Sequence, residues 1–307
     1  MATDHAYAQP WPARPVHAIV AAGAGSTIDI IPRIVFEQLS TQLGQPIVVE
    51  NRAGAGGTIA AQFVANSEPD GYTVLVNSAA HTIAPSLYAD LKYDPARDFA
   101  GIVPLGILPQ VMVVAPSEGF RTVDDLVAAA KSKPGALTFA SVGIGSATQM
   151  AAERFLVSAG ITAVHVPFKS GAEAMAEVMS GRVDFFFGPV GLVLPLVRDG
   201  KLTALVVNGA KRSPALPDVP TTRAAGYADA DYPFWFGVFA PAKTPRDVVE
   251  TLNREARKAL DAPKVREKLT ALGVDPMIMS PAEFDTYVRK DIVASAVLVK
   301  SAGIKPE

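Results

Sequence analysis

The sequence predicts an α/β fold in two lobes, each a mainly parallel sheet flanked by helices on both faces. Three observations carry this expectation. Strand-like and helix-like runs alternate along the chain, the alternation restarts after Pro104, and a strand running through Gly-x-Gly-Ser into a helix occurs once in each expected lobe. The length of 307 residues exceeds one average domain and leaves room for two cores.

The first strand is "HAIVAA", and the first helix runs through "IVFEQLSTQL". There Ile31, Ile34, Val35 and Leu39 recur at helical spacing and give one apolar face. Pro32 lacks an N–H and is tolerated only near a helix start, which places that start at about Asp29. The strands "PIVVEN" and "YTVLVNS" follow, separated by a glycine loop and the helix-like "AAQFVANS". A second lobe spans 105–225, through "QVMVVAP", "TVDDLVAAAKSK", "LTFAS", "QMAAERFLVSAG", "AVHVPF", "AEAMAEVMSG", "VDFFFGP" and "LTALVVNGA". The segment "YPFWFGVFAPAKTP" is a crossing strand. The helices in "RDVVETLNREARKAL" and "PKVREKLTALG" then pack back, so that the first lobe comprises 15–104 and 226–307, with a cleft between the lobes. Residues 1–14 are expected to be a disordered start or the remnant of a tag or signal segment, since "AYA" before Gln9 has the small-x-small form of a secretory cleavage site.

Composition narrows the function. Hydrophobic residues make up 49%, charged residues 19%, and the formal net charge is −2, which argues against disorder, a nucleic-acid partner or an anionic membrane surface. Without cysteine there is no disulfide, no thiolate catalysis and no cysteine-ligated zinc. The dinucleotide fingerprint fails at Ile28, where its third glycine would stand, and neither a Gly-Lys-Ser/Thr phosphate loop nor a Gly-x-Ser-x-Gly elbow occurs. His5, His17, His81 and His165 form no ligand set with carboxylates, so neither a metal nor a cofactor is expected. Only His81 sits in a loop after a strand end, where it either reaches a cleft or, as a lone histidine more often does, serves a structural role.

The paired motif carries the most information. Gly23, Gly25 and Ser26 in the first lobe are matched by Gly143, Gly145 and Ser146 in the second, with Asp29 and Gln149 at capping-box spacing. A strand end followed by a helix start exposes unpaired N–H groups and about half a positive charge, which suits a carboxylate or phosphate. Two such ends facing across a cleft would hold an anion without a full positive charge. Glycines that merely turn a strand tightly into a capped helix would leave the same pattern, and "NRAGAGGTIAA" has glycines at such a turn too.

The stretches "GAGSTID", "GQPIVVENRAGAGGTIAA", "PDGYTVLVNS", "YDPARDF", "ASVGIGS", "VHVPFKSGAEAM", "AKRSPALPDVPTTRAAG", "WFGVFAPAKTP" and "SAGIKPE" together resemble the substrate-binding proteins of tripartite tricarboxylate transporters, the Bug family. The resemblance covers nearly the whole chain from about Pro15. It implies a periplasmic, two-lobed type II binding protein of the Venus-flytrap kind. Such a protein is no enzyme; it closes on a small carboxylate and delivers it to a two-component membrane permease. A monomer is expected. In that family the loop after the first strand ends in Asp and its amides meet the ligand carboxylate; the matching positions are Ala24, Gly25, Ser26, Thr27 and Asp29. The second-lobe loop matches Ser141 to Thr148, which nominates Ser141, Gly143, Gly145, Ser146 and Thr148. "VPFKSG" puts Phe168 and Lys169 near the cleft, and Ser78 and His81 match a further cleft-facing loop.

Departures from the family pattern bear on the ligand. Ala21, Ala22 and Gly23 replace a proline, an aromatic and a second proline, and Gly188 and Pro189 replace an Asp-Asn pair. Both imply a roomier, less polar far end, suited to an aromatic dicarboxylate such as terephthalate first and an aliphatic dicarboxylate second. The amides of Gly25 to Thr27, Gly145 and Ser146, with the hydroxyls of Ser26, Thr27, Ser146 and Thr148, are expected to donate to the carboxylate, each bond being worth roughly 1.5–3 kcal/mol. Asp29 would orient its loop, Lys169 would either stand solvated, the commoner state of a lysine, or meet a second carboxylate, and Phe187, Trp235 and Phe236 would pack in the core or hinge. The competing possibilities are an α/β enzyme acting on a carboxylate, for which no nucleophile and base stand at recognisable spacing, and a sensor reporting to a membrane receptor.

Overall fold

The computed structural model describes residues 11–209 and 211–306. The first sheet is built from β1 (Val16–Val20), α1 (Thr27–Leu43), β2 (Ile47–Asn51), α2 (Thr58–Ala65), β3 (Thr73–Ser78), α3 (Ala80–Leu87) and β4 (Phe99–Leu108). The second follows with β5 (Gln110–Val114), α4 (Val123–Ser132), β6 (Thr138–Ser141), α5 (Ala147–Ala159), β7 (Val164–Pro167), α6 (Gly171–Met179), β8 (Phe185–Pro189), α7 (Val190–Arg198) and β9 (Thr203–Asn208). The chain then returns through β10 (Phe234–Pro241) to α8 (Arg246–Asp261), α9 (Pro263–Ala271) and α10 (Pro281–Ser301).

The strand orders β2-β1-β3-β10-β4 and β7-β6-β8-β5-β9 are one topology used twice. In each sheet the βα strands pair in parallel, and one strand arriving from the other lobe is inserted antiparallel to both its neighbours. That strand enters at the carboxyl ends of the others, so it has to run against them. The expectation of mainly parallel sheets therefore holds, with β5 and β10 as the antiparallel insertions.

Two expected boundaries move. Strand β4 runs through to Leu108, past residue 104, because Pro104 faces Gly237 beside a register shift, where a strand tolerates proline. On the return, Thr222 N donates to Val207 O at 2.9 Å and the Tyr227 hydroxyl donates to Asp124 Oδ1 at 2.7 Å, so residues just beyond 225 still pack with the second lobe. Of the expected disordered start, residues 1–10 lie outside the described residues. The segment 11–14 is held instead: Ala13 N donates to the Tyr72 hydroxyl at 2.9 Å, and Arg14 pairs with Asp70 at 2.9 Å.

One apolar layer joins the lobes. Leu75 and Phe239 of the first sheet, and Met112, Phe139 and Phe187 of the second, share a cluster with side chains of α2, α3, α5 and α10. A second layer packs α1, α8 and α9 on the first sheet, and a third packs α6 and α7 on the second. Helix α10 begins in a capping box formed by Ser280 and Glu283, and its Asp285 accepts Gly101 N at 2.7 Å, tying it to β4. No helix among the described residues is long and apolar enough to cross a membrane.

Candidate functional site

The carboxyl ends of β1 and β6 lead into two loops held by corresponding hydrogen bonds. Ser26 Oγ donates to Gly23 O at 2.7 Å, and Ser146 Oγ to Gly143 O at 2.6 Å. The backbone N–H of each serine donates to the same carbonyl, at 3.3 Å in both loops. Gly25 N donates to Asp29 Oδ2 at 2.8 Å, and Gly145 N to Gln149 Oε1 at 2.8 Å. Gly25 and Gly145 stand at φ +79° and +72°, a left-handed conformation that favours glycine. The sequence repeat is thus a repeat of geometry.

Two expectations about these loops need correction. Asp29 and Gln149 do not close capping boxes, because their side chains reach one residue further back, to the glycine amide. Ser146 still accepts Gln149 N at 3.3 Å, whereas Ser26 makes no such bond. The serine hydroxyls and the Gly25, Ser26, Gly145 and Ser146 amides are also not free donors, since each is spent inside its loop. The Thr148 hydroxyl accepts Val142 N at 3.0 Å, and with the Ser146 proton committed to Gly143 O it donates to Ser146 Oγ at 3.0 Å. The N–H groups with no acceptor among the described residues include a matched set, those of Ala24, Thr27 and Ile28 in one loop and of Ile144, Ala147 and Thr148 in the other, and the first loop adds Ala22 and Gly23. The matched groups fall at corresponding positions, one, four and five residues after Gly23 and Gly143.

Asp29 anchors the first loop. It is buried and accepts from Gly25 N, from Arg33 Nε at 2.7 Å and from Asn51 Nδ2 at 2.9 Å, while Asn51 also reaches Ala22 O at 3.0 Å. Burial alone would raise its pKa. The Gly25 amide, Asn51 and Arg33 together outweigh burial and hold the carboxyl below its ordinary value. The second loop is braced differently: Ser141 Oγ sits 2.6 Å from His165 Nε2 and accepts Gly143 N at 3.1 Å. Burial lowers the pKa of His165, whose ring stacks on Phe139. The second loop also touches the first lobe, since a Cβ added at Gly145 would lie 2.5 Å from Leu87 Cδ1 on α3. Ser146→Ala is expected to cost about 1 kcal/mol of stability and to weaken ligand binding roughly tenfold, because the hydroxyl both caps α5 and closes the loop. Denaturant unfolding and calorimetry read the two effects.

The other predicted residues divide. Ser78 is buried at the end of β3, where its Oγ accepts Ala80 N at 3.3 Å. His81 does not reach the cleft. It lies fully buried against the rings of Tyr93, Phe99 and Phe239, because the helix turns it into the first core, and burial pushes its pKa down to about 3 against a weak influence of the Pro95 carbonyl. A histidine held neutral gives stability that is present above its unfolded pKa of about 6.5 and is lost as pH falls towards 3. His81→Leu is therefore expected to remove about 2 kcal/mol of the stability difference between pH 8 and pH 5, read as a flatter dependence of the denaturation midpoint on pH.

Phe168 packs, partly buried, on the core of the second lobe, and Phe187, Trp235 and Phe236 are fully buried. Lys169 is exposed. Its backbone N–H donates to Glu173 at 3.1 Å, and no ion pair of its side chain occurs among the described residues. Gly188 faces inward, where an added Cβ would lie 2.6 Å from Phe186 and 2.7 Å from Val193, so its small size serves core packing and not room for a ligand. Pro189 is half-buried at the carboxyl end of β8, opposite Gln110.

Several residues at the lobe junction were not among those the sequence nominated. Arg33, Asn51 and His165 brace the loops, and the side-chain amides of Asn77, Gln110 and Asn208 are buried with one atom each unpaired. Exposed apolar side chains flank the loops: Ile30 on α1, Val142 and Ile144 in the second loop, and Leu192 on α7. A separate hollow of about 770 Å³, lined in part by Arg14, His17, Phe63 and Tyr72, lies on the first lobe. Its Arg14 is already paired with Asp70 and stacked on Tyr72, which leaves it little charge for an anion.

Comparison with known proteins agrees with this architecture. The family model described as the tripartite tricarboxylate transporter family receptor matches residues 31–304. Among curated proteins, the chain is 33% identical over 300 residues to protein BugT of Bordetella pertussis, covering 97% of this chain and 92% of that one. It is 38% identical over 265 residues to a protein from a tcbD-tcbE intergenic region of Pseudomonas sp. strain P51, covering 86% and 79%. Among solved structures, an adipate-bound protein of R. palustris superposes with a TM-score of 0.85 at 31% identity, covering 97% of this chain and all 100% of its own. MatC of Rhodopseudomonas palustris with bound malate gives 0.81 at 31%, covering 94% and 100%, and the periplasmic binding protein BugD gives 0.82 at 30%, covering 97% and 100%.

Proposed function

Because the chain belongs to the tripartite tricarboxylate transporter family of receptors, we propose that it captures a dicarboxylate with an apolar body and hands it to a two-component membrane permease. Its family consists of periplasmic solute-binding proteins and not of enzymes. The observation that carries the ligand class is the pair of matched loops with free amides, Ala24, Thr27 and Ile28 in one lobe and Ile144, Ala147 and Thr148 in the other. Each set belongs to a helix start, where the dipole adds to the N–H donors. A carboxylate held by both sets would bridge the lobes and favour the closed form, since a ligand drives closure only through its greater affinity for that form.

The apolar body is supported by the loop surroundings. A Cβ at Gly23 would meet nothing within 4 Å, which leaves space beside the first loop, and Ile30 on the first lobe and Val142, Ile144 and Leu192 on the second offer exposed apolar surface. The adipate bound by one neighbour has two acid groups joined by an apolar chain. Terephthalate has a flat spacer of related polarity, so the two acids form the natural comparison. The protein acts as a monomer in this scheme, with no cofactor. A thermal-shift screen of mono-, di- and tricarboxylates is expected to give its largest shifts with terephthalate or adipate, because binding to the folded form raises the melting temperature. Far tighter binding of aspartate or citrate in calorimetry would overturn the preference.

A further inference from the structure

The two loops share their hydrogen bonds but differ in the charge behind them. In the first lobe the glycine amide meets Asp29, and one helical turn on, Arg33 compensates that carboxylate. In the second lobe the glycine amide meets the neutral Gln149, and one turn on, four residues after Gln149, stands Glu153. Gln149 is buried and Glu153 half-buried. Arg33 offsets a negative charge behind its loop, whereas an ionised Glu153 would add one.

We propose that Glu153 is a positioning residue for ligand binding, acting through Gln149 on the Gly145 amide, and that its protonation sets how strongly the second loop holds an anion. This rests on the carboxylate reading of the site. Protonated, Glu153 leaves the loop without a nearby negative charge and the helix start at full strength. Ionised, it opposes the incoming carboxylate and tightens the hold of Gln149 on Gly145. Binding of an acid therefore takes up a proton.

The surroundings leave Glu153 in control of its own charge. Strands β6 and β8, which pack on α5, contain no ionisable residue. On α10, Glu283 is engaged by Ser280, Asp285 by Gly101, and Asp291 by Thr82 and Trp235, while Arg289, Lys290 and Lys300 are exposed. Tyr287 of the same helix packs on Trp235, and Tyr227, whose ring meets Phe155 of α5, gives its hydroxyl to Asp124. Burial pushes the Glu153 carboxyl up to about 7, opposed only by Gln149, so the change of charge falls near neutral pH.

Two readouts on the full chain test this. In ligand-free protein, the Gly145 amide resonance should titrate with a midpoint near pH 7 in wild type and stay flat in Glu153→Gln, while the Gly25 amide is flat in both. With adipate and terephthalate as probes, calorimetry should show affinity about 3- to 10-fold tighter at pH 6 than at pH 8, with heats that depend on the buffer, and Glu153→Gln should lose both dependences. A Gly145 amide that is flat between pH 6 and 8, or that titrates equally in Glu153→Gln, overturns the proposal. So does buffer-independent, pH-independent binding by wild type. If neither acid binds, the carboxylate reading falls and the amide titration alone decides the relay.

Discussion

Asp29→Ala is expected to weaken dicarboxylate binding by about 100-fold, roughly 2.7 kcal/mol. The residue need not touch the ligand. Its carboxylate holds the Gly25 amide, Arg33 and Asn51 at once, and Asn51 in turn holds Ala22 O, so the whole loop from Ala22 to Thr27 loses its support. Folding should lose about 1–3 kcal/mol, because the half-buried Asn51 and the exposed Gly25 amide lose the charged acceptor they share. Asp29→Asn keeps an acceptor for Gly25 and loses the pairing with Arg33, so it should fall between the two. Since the native carboxyl titrates below its ordinary value, its contribution is present above pH ~4 and is lost as pH falls through the lowered value. Calorimetry and chemical unfolding of the three proteins at neutral pH check the order.

Gly145→Val is expected to lower affinity by a similar factor, about 100-fold, with little loss of secondary structure. The position needs φ +72°, which a β-branched residue resists, and the new Cβ would lie 2.5 Å from Leu87 Cδ1. Both effects push the second loop off α3 of the first lobe. Leu87→Ala in the same chain should relieve the collision and leave the backbone strain, so the double variant should recover part of the affinity. No recovery would mean that the contact between loop and helix has no part in closure.

Much of this was legible in the sequence for physical reasons that are local. A strand that turns into a helix within a few residues needs glycine and a capping side chain, so Gly23, Gly25 and Ser26 and their counterparts marked both loops. The order of strands was legible because runs of β-formers alternate with amphipathic segments. What was not legible is where each proton goes. Ser26 and Ser146 spend their hydroxyls on the carbonyl three residues back, which shifts the free donors to Ala24, Thr27 and Ile28 and to Ile144, Ala147 and Thr148. That depends on loop torsions and not on residue type. His81 was misplaced because a helix begins at Ala80 and turns it inward, onto an aromatic cluster whose members come from elsewhere in the chain. Arg33 stands at i+4 from Asp29, a spacing that marks an ion pair, and it was the one bracing residue the sequence alone could have offered.

Ligand capture turns on backbone amides from two lobes meeting one acid group. A crystal structure of the chain with adipate bound tests it most directly. The predicted result is one carboxylate with its oxygens about 3 Å from amide nitrogens in both sets, Ala24, Thr27 and Ile28 on one side and Ile144, Ala147 and Thr148 on the other, directly or through one bridging water. A carboxylate seated instead in the Arg14 and Tyr72 hollow, or on Lys169 with those amides left to solvent, would contradict it.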